Sequence, residues 1–304
     1  MKKFLAKRAV SSAISLMLLI IAVFFLSRLT GDPTDLYLPI DASQEARDNF
    51  RALHGLNDPL ITQFGRYVLD LLRLDFGDSI RRAQPALGVV VQAFGWTLQL
   101  AAITMLIVTV GAIVLGSLAA FRVGGVFDRM ATFCSLIGAA APDFWIAIVA
   151  IVVFSLGFGL VPTSGTGTVL HWVLPVAVLS IRPFGLILQV VRGSMINALG
   201  SAYVKTARAK GVAPRAMIFV HALRNAMLPV ITVIGDQAAG MLNGAVVVET
   251  IFGFPGVGKL MIDSILQRDF TVVLAAIMVT AFAIFLMNIL IDLAYAALDP
   301  RIRY

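Results

Sequence analysis

Apolar and polar positions alternate along this chain in blocks the length of whole segments. Six apolar runs, near 9–29, 97–121, 131–156, 170–191, 228–250 and 270–297, are separated by stretches richer in charge, Gly and Pro. Roughly 20 helical residues at ~1.5 Å rise cross a ~30 Å hydrocarbon core. The pattern therefore predicts an all-α integral membrane protein with six transmembrane helices. Pro142 falls inside the third run and should bend it, because proline removes a helical hydrogen bond and crowds the preceding turn. Gly240 and Gly244 in the fifth run have the spacing that lets two helices approach closely. Between the first and second runs the pattern changes. Phe50, Leu53, Leu56 and then Phe64, Tyr67, Val68, Leu71 and Leu72 recur at helical spacing. That predicts short helices broken at Asn57-Asp58-Pro59. The chain thus divides into residues 1–29 (N-terminus and first span), an external helical segment 30–96, and a core of five spans over 97–304.

Charge gives this layout an orientation. The chain is 59% hydrophobic and 13% charged, with a net charge of +7. With six spans, Lys2, Lys3, Lys7, Arg8, Arg122, Arg129, Arg192, Lys205, Arg208, Lys210, Arg215, Arg224, Arg301 and Arg303 all fall on one side, 14 of the 24 basic residues. Excess Lys and Arg marks the cytoplasmic side, so both termini are expected in the cytosol. Residues 30–96, with nine acids against six arginines, are expected outside. The basic residues follow span ends and do not cluster with exposed aromatics, which argues against nucleic-acid binding. The N-terminus imitates a signal peptide, but its apolar run ends in Phe25-Leu26-Ser27-Arg28 without a small-x-small cleavage site, and reads as an uncleaved span. Cys134 is the only cysteine, so no intrachain disulfide forms.

The loop between the fourth and fifth spans, 192–228, carries the most information. Tyr203 to Pro229 holds Lys205, Arg208, Lys210, Arg215 and Arg224 and no acid. Residues 193–210 are expected to form one helix, with Met195, Ile196, Leu199 and Tyr203 on one face and Lys205 and Arg208 turned away. Gly211 suits its end, since glycine adopts the left-handed conformation in which helices often finish. Pro214 suits the first turn of a second helix over 214–226, where a missing N–H costs nothing. The product is a basic helical elbow fixed to two spans, and movement of a partner pressed on it would reach both.

Other features need weighing. Residues 253–260, GFPGVGKL, match the phosphate-binding pattern G-x-x-x-x-G-K-[ST] except at Leu260, where no hydroxyl is present to hold magnesium. No strand precedes the glycines, and the topology puts them outside, so a glycine-rich external turn is the better account. Asp143, Arg182 and Asp236 fall well inside spans, where a charge costs ~2.5–3.5 kcal/mol on the insertion scale. They are expected to face a bundle interior or a pathway, with Arg182 opposite Asp236 or Asp143, as a gate, a contact for charged substrate or a structural pair. Asn243 joins them as a polar pathway candidate, whereas Glu249 and Asp292 read as interfacial anchors. Hydrolysis would need a nucleophile with a base, or a metal cluster. His54, His171 and His221 lie apart and offer neither.

The motifs also carry a resemblance. HGLNDPLITQFGRYV (54–68), LDFGDSI (74–80), AAPDFWIAI (140–148), YVKTARAKG (203–211), HALRNAMLP (221–229), GAVVVETIFGFPGVGKL (244–260) and LDPRIRY (298–304), in this order, resemble the permease subunits of ABC importers, specifically the dipeptide/oligopeptide/nickel permease family. The usual Glu-Ala-Ala opening of the importer loop reads Lys205-Thr206-Ala207 here, in the longer loop of the peptide/nickel branch. The resemblance implies a type I importer permease in a bacterial inner membrane, without catalysis or cofactor of its own and without a metal site. It would form half of the pathway for peptides or similar small solutes beside a homologous permease. Two cytosolic ATPases would bind the ATP and Mg2+, and a periplasmic or extracellular binding protein would deliver substrate. Lys205, Thr206, Ala207, Arg208, Ala209, Lys210, Gly211 and Arg215 would engage an ATPase, the small residues permitting close approach and the basic ones supplying charge. Nickel or another small solute is the alternative cargo. A stand-alone secondary transporter is the alternative machine.

Overall fold

The computed structural model describes the backbone of residues 2–29, 34, 38, 41–53 and 55–298. Side chains at 2–9, 12, 27–29, 139, 243–244, 292 and 294–298 lie outside that description. His54, Arg301, Arg303, most of the LDPRIRY motif and the side chains of Lys2, Lys3, Lys7, Arg8, Asn243 and Asp292 therefore fall outside it. The described residues are helical throughout, apart from turns and one isolated bridge between Asp78 and Pro85.

In chain order the helices are α1 (Lys2–Leu29), α2 (Gln44–Leu53), α3 (Leu60–Leu72), α4 (Ala86–Phe121), α5 (Val126–Ala140), α6 (Asp143–Ala150), α7 (Leu170–Leu199), α8 (Ala202–Ala209), α9 (Pro214–Ala216), α10 (Leu223–Gly244), α11 (Val246–Ile251), α12 (Val257–Leu266) and α13 (Phe270–Leu298). Two π-helical turns, Ile151–Gly157 and Met217–Ala222, continue α6 and join α9 to α10. Four stretches have the length and hydropathy to cross a bilayer: Ala86–Phe121, Leu170–Leu199, Pro214–Leu242 and Phe270–Ile291. A fifth is the pair Val126–Gly138 and Asp143–Gly157, bent by 102°. The described apolar stretch of α1, Ala13–Leu26, is shorter than a full crossing, so among the described residues four spans are seen, or five if the bent pair is one span, and the first of the six expected spans lies partly outside the description.

The bend in the third span is sharper than one proline kink because one helix ends, with the Ala141 N–H on the Ile137 carbonyl, and a new one starts with the Pro142 carbonyl accepting from Trp145 and Ile146. Ala141 and Pro142 adopt extended backbone, with Pro142 as N-cap of α6. By contrast, Pro175, Pro183 and Pro229 lie inside helices that continue through them. Transmembrane helices tolerate such prolines where neighbouring groups re-satisfy the freed carbonyls.

By contacts the chain falls into two units. One comprises 2–95 and 260–285. In it α1 meets α3 through Phe24, whose ring lies 5.3 Å from Phe64 and 5.5 Å from Tyr67. The break between α2 and α3 is closed by Gln63, whose amide donates to the carbonyls of Leu56 (3.0 Å) and Asp58 (2.8 Å), and by the Arg66–Asp58 ion pair at 2.7 Å. The LDFGDSI turn is fastened by Asp269, a buried carboxylate that accepts from the Ser79 hydroxyl.

The other unit comprises 96–259 and the chain from 286 onward, and is organised around α7, which packs against α5, α6 and α10. Small residues set these approaches. A Cβ on Gly185 would stand 2.5 Å from the Ser135 carbonyl, and one on Gly235 2.8 Å from the Ile291 side chain. Gly240, expected to pack, instead faces open space. No described residue of its own chain packs against it.

Candidate functional site

The elbow between α7 and α10 differs from the single helix expected over 193–210. α7 runs to Leu199 and stops at Gly200-Ser201, and Ser201, in extended backbone, starts α8. α8 ends at Ala209 with Lys210 as its C-cap, and Gly211 takes a φ of +76°, the left-handed region that a Cβ disfavours. The backbone then turns through Val212 and Ala213 into α9, with Pro214 in its first turn. No separate helix 214–226 follows: α9 passes through the π-helical turn straight into α10, and Pro229 lies within that helix and not at its entrance.

The break at Gly200 rotates the faces. Val204, not Tyr203, is the buried residue of α8, and Tyr203 is exposed. Beneath the elbow Met195, Val204, Met217, Ile218 and Ala222 are buried, and α8 packs on the π-helical turn. The outer surface carries Lys205, Thr206, Arg208, Ala209, Lys210, Gly211 and Arg215, all exposed, with Ala207 half-buried. The Arg208 guanidinium also reaches the Met217 sulfur at 3.9 Å. Burying Met195, Val204, Met217 and Ile218, at ~1.5–3 kcal/mol each, favours such an elbow by roughly 6–12 kcal/mol before conformational entropy is subtracted. It is therefore a fixed platform with a basic, close-approach face. Arg192, at the foot of α7, pairs with the buried Asp128 of α5, one contact being 2.8 Å, and ties the platform's base to the bent span.

The intramembrane charges are not brought together. Arg182 on α7 and Asp236 on α10 are both exposed, Asp143 is half-buried at the start of α6, and no ion pair joins them among the described residues. The amide of Gln237 donates to Asp236 at 3.3 Å. Asp236 sits in a stripe of exposed positions on α10 that includes Asn225, Pro229, Thr232 and Gly240, at helical spacing. The backbone of Asn243 extends the same series. Neither a cross-bundle ion pair nor burial between helices describes these residues. Arg182 and Asp236 stand at exposed positions of α7 and α10, and Asp143 at a half-buried one.

The GFPGVGK turn holds a carboxyl group, and that group belongs to the protein. Glu249 of α11 is fully buried and accepts from the Thr97 hydroxyl (2.6 Å) and from the backbone N–H groups of Gly258 (2.8 Å) and Lys259 (3.2 Å). Thr97 in turn accepts from the Val257 N–H at 2.8 Å. The carboxylate thus occupies the first turn of α12, where unpaired amides favour negative charge. A Cβ on Gly256 would overlap it, and one on Gly258 would stand 2.8 Å from Oε2. The glycines admit Glu249, which leaves no space for a phosphate. Above this clasp Trp172 and Trp96 pack edge-on against Phe254, at 4.9 Å and 5.9 Å. Glu249 therefore anchors this turn within its own chain and is not an interfacial residue. Sequence reading missed this, because Thr97 lies 152 residues away. Among the described residues no cluster of three His, Cys, Asp or Glu could hold a metal.

Comparisons with known proteins agree with this architecture. Two solved transporters share the fold over 69% of this chain: the MetNI methionine ABC transporter (TM-score 0.59, 14% identity, 96% of that chain) and an amino acid ABC transporter (TM-score 0.55, 16% identity, 94% of that chain). Over 99% of both chains the sequence is 38% identical to the probable peptide ABC transporter permease protein y4tP of Sinorhizobium fredii. It is 34% identical, end to end, to the oligopeptide transport system permease protein AppB of Bacillus subtilis, and 35% identical over 92% of both chains to the dipeptide permease DppB of Escherichia coli K12. The family model for binding-protein-dependent transport system inner membrane components matches residues 112–304. With its helical spans, its full-length relatives and this match, the chain belongs to the family of inner-membrane permease components of binding-protein-dependent ABC transporters.

Proposed function

We propose that this chain is one of two permeases in an importer of peptides, driven by partner ATPases that grip the α8–Gly211–α9 elbow. The observation that carries the reading is the elbow itself, whose apolar side is buried under Val204, Met217 and Ile218 and whose basic side is exposed. A rigid element attached to both α7 and α10 moves both helices when it is pushed. Lys205, Thr206, Ala207, Arg208, Ala209, Lys210, Gly211 and Arg215 form the contact. Small residues allow close approach, and the cations complement an acidic groove. ATP and Mg2+ belong to the ATPases, and this chain contributes no catalytic group. Both termini and the elbow lie in the cytosol, with α1 as the sixth span. The open side of α7 and α10, bearing Arg182, Asp236 and Asn243, faces the pathway and the second permease, with Asp143 near one end. Charges at that depth cannot rest against lipid tails without large cost, so water or protein must cover them. Peptide cargo follows the named function of the relatives and suits a wet, charged wall. An external binding protein delivers it.

Reconstitution in liposomes tests the reading. The two permeases with their ATPases should accumulate peptide only with ATP and binding protein, and Arg208→Glu with Lys210→Glu should lower transport at least tenfold while the complex still assembles. Uptake by the permeases alone, or full activity of the double variant, would reject it.

A further inference from the structure

On the side of α7 away from Arg182 lies an apolar groove that none of the described residues fills. Its volume is about 440 Å3, and its walls include Leu115 of α4, Phe127, Met130 and Ala131 of α5, and Phe184 and Leu188 of α7. The α5 residues recur at one-turn spacing and so present a single face. We infer that this groove seats an acyl chain of an anionic phospholipid from the leaflet next to the elbow, with the headgroup held at Arg122.

Three observations select that occupant. The first is orientation, which rests on the pathway reading above. At ~100° per residue, Arg182 and the exposed Leu186 point nearly opposite to Phe184 and Leu188 on the same helix. If the charged side is enclosed by the assembly, the groove side faces lipid. The second is depth. From Ser180 to Leu188, both at the groove, α7 advances ~12 Å, close to half of a ~30 Å hydrocarbon core. Phe127 and Leu188 put one end of the groove beside the Asp128–Arg192 pair, on the side of the elbow, and from there it runs toward the middle of the span. The third is charge. Arg122 follows Leu115 by two turns, in the turn after α4, is exposed, and has no ion pair among the described residues. A basic side chain above an apolar slot between spans is the arrangement that attracts anionic headgroups. Arg192 is already taken by Asp128, which leaves Arg122, with the exposed Arg129 beside Met130 as its neighbour, for the phosphate.

The test uses the complete transporter with p-benzoylphenylalanine in place of Met130, irradiated in membranes containing phosphatidylglycerol. The expected adduct is phosphatidylglycerol on this chain; an adduct with the second permease would overturn the inference. Native mass spectrometry of the delipidated complex, reloaded with palmitoyl-oleoyl phosphatidylglycerol or phosphatidylcholine, gives the second reading. Ala131→Phe should lose one retained lipid per chain at unchanged assembly mass. Arg122→Gln should lose about fivefold in preference for phosphatidylglycerol, the effect of one basic side chain at an anionic surface. If both variants retain lipid like the parent, the groove is not a lipid site. The pathway reading has its own readout, labelling of Asp236→Cys by a water-soluble thiol reagent. A labelled cysteine beside a lipid-free groove would remove only the present inference.

Discussion

Glu249 shows how much one side chain can hold. Its carboxylate satisfies two backbone amides and the Thr97 hydroxyl in a site with no water access, and Thr97 passes the constraint to Val257. Removing one partner from a buried hydrogen bond costs ~1–3 kcal/mol for each group stranded. Glu249→Ala strands three donors, so its melting temperature, measured on the purified complex, should fall by many degrees. Glu249→Gln keeps the shape and one acceptor oxygen, and should fall about half as far. A Glu249→Ala complex that melts like the parent would mean the turn is held by its aromatic cover instead. The glycines that admit the carboxylate were visible as a motif. What filled them was not, because the motif fits a phosphate as well as a carboxylate.

At the scale of elements, the elbow depends on Gly211. Its φ of +76° lets α8 stop and α9 start within a few residues. Gly211→Val places a β-branched residue in left-handed backbone, at a cost of ~1–2 kcal/mol or more, and should tilt α8 against the π-helical turn. Peptide-stimulated ATP hydrolysis by the complex should drop several-fold, while Gly211→Asn, which tolerates that conformation, should keep most of it. Equal activity of the two variants would remove the backbone argument. Helix, glycine and proline in this order were legible in the sequence. The break at Gly200, which turns Val204 inward in place of Tyr203, was not, since both faces of 193–210 offer apolar residues at helical spacing.

At the scale of the whole molecule, Arg182 and Asp236 are exposed charges on two helices long and apolar enough to cross a membrane. Because the two are unpaired here, exchanging their charges should not restore function. Arg182→Gln and Asp236→Asn are each expected to lower peptide transport about tenfold, equivalent to ~1.4 kcal/mol, with assembly intact. The reversed double variant, Arg182→Asp with Asp236→Arg, should remain as poor as either. Rescue in liposome assays would instead reveal a pair that forms in another conformation of the transporter.

Hydropathy, periodicity and the placement of Lys and Arg determined the helical membrane class, the position of most spans and the basic elbow, because lipid and water impose those patterns locally on the chain. Pro142 likewise announced a break in the third span. Tertiary structure alone decided which anion fills the glycine turn, which face of α8 is buried and that Arg182 does not meet Asp236. Each of these depends on groups brought together from distant segments or on how one helix is rotated against another. Those rotations are set by close contacts such as Gly185 against Ser135, which leave no periodic trace in the sequence.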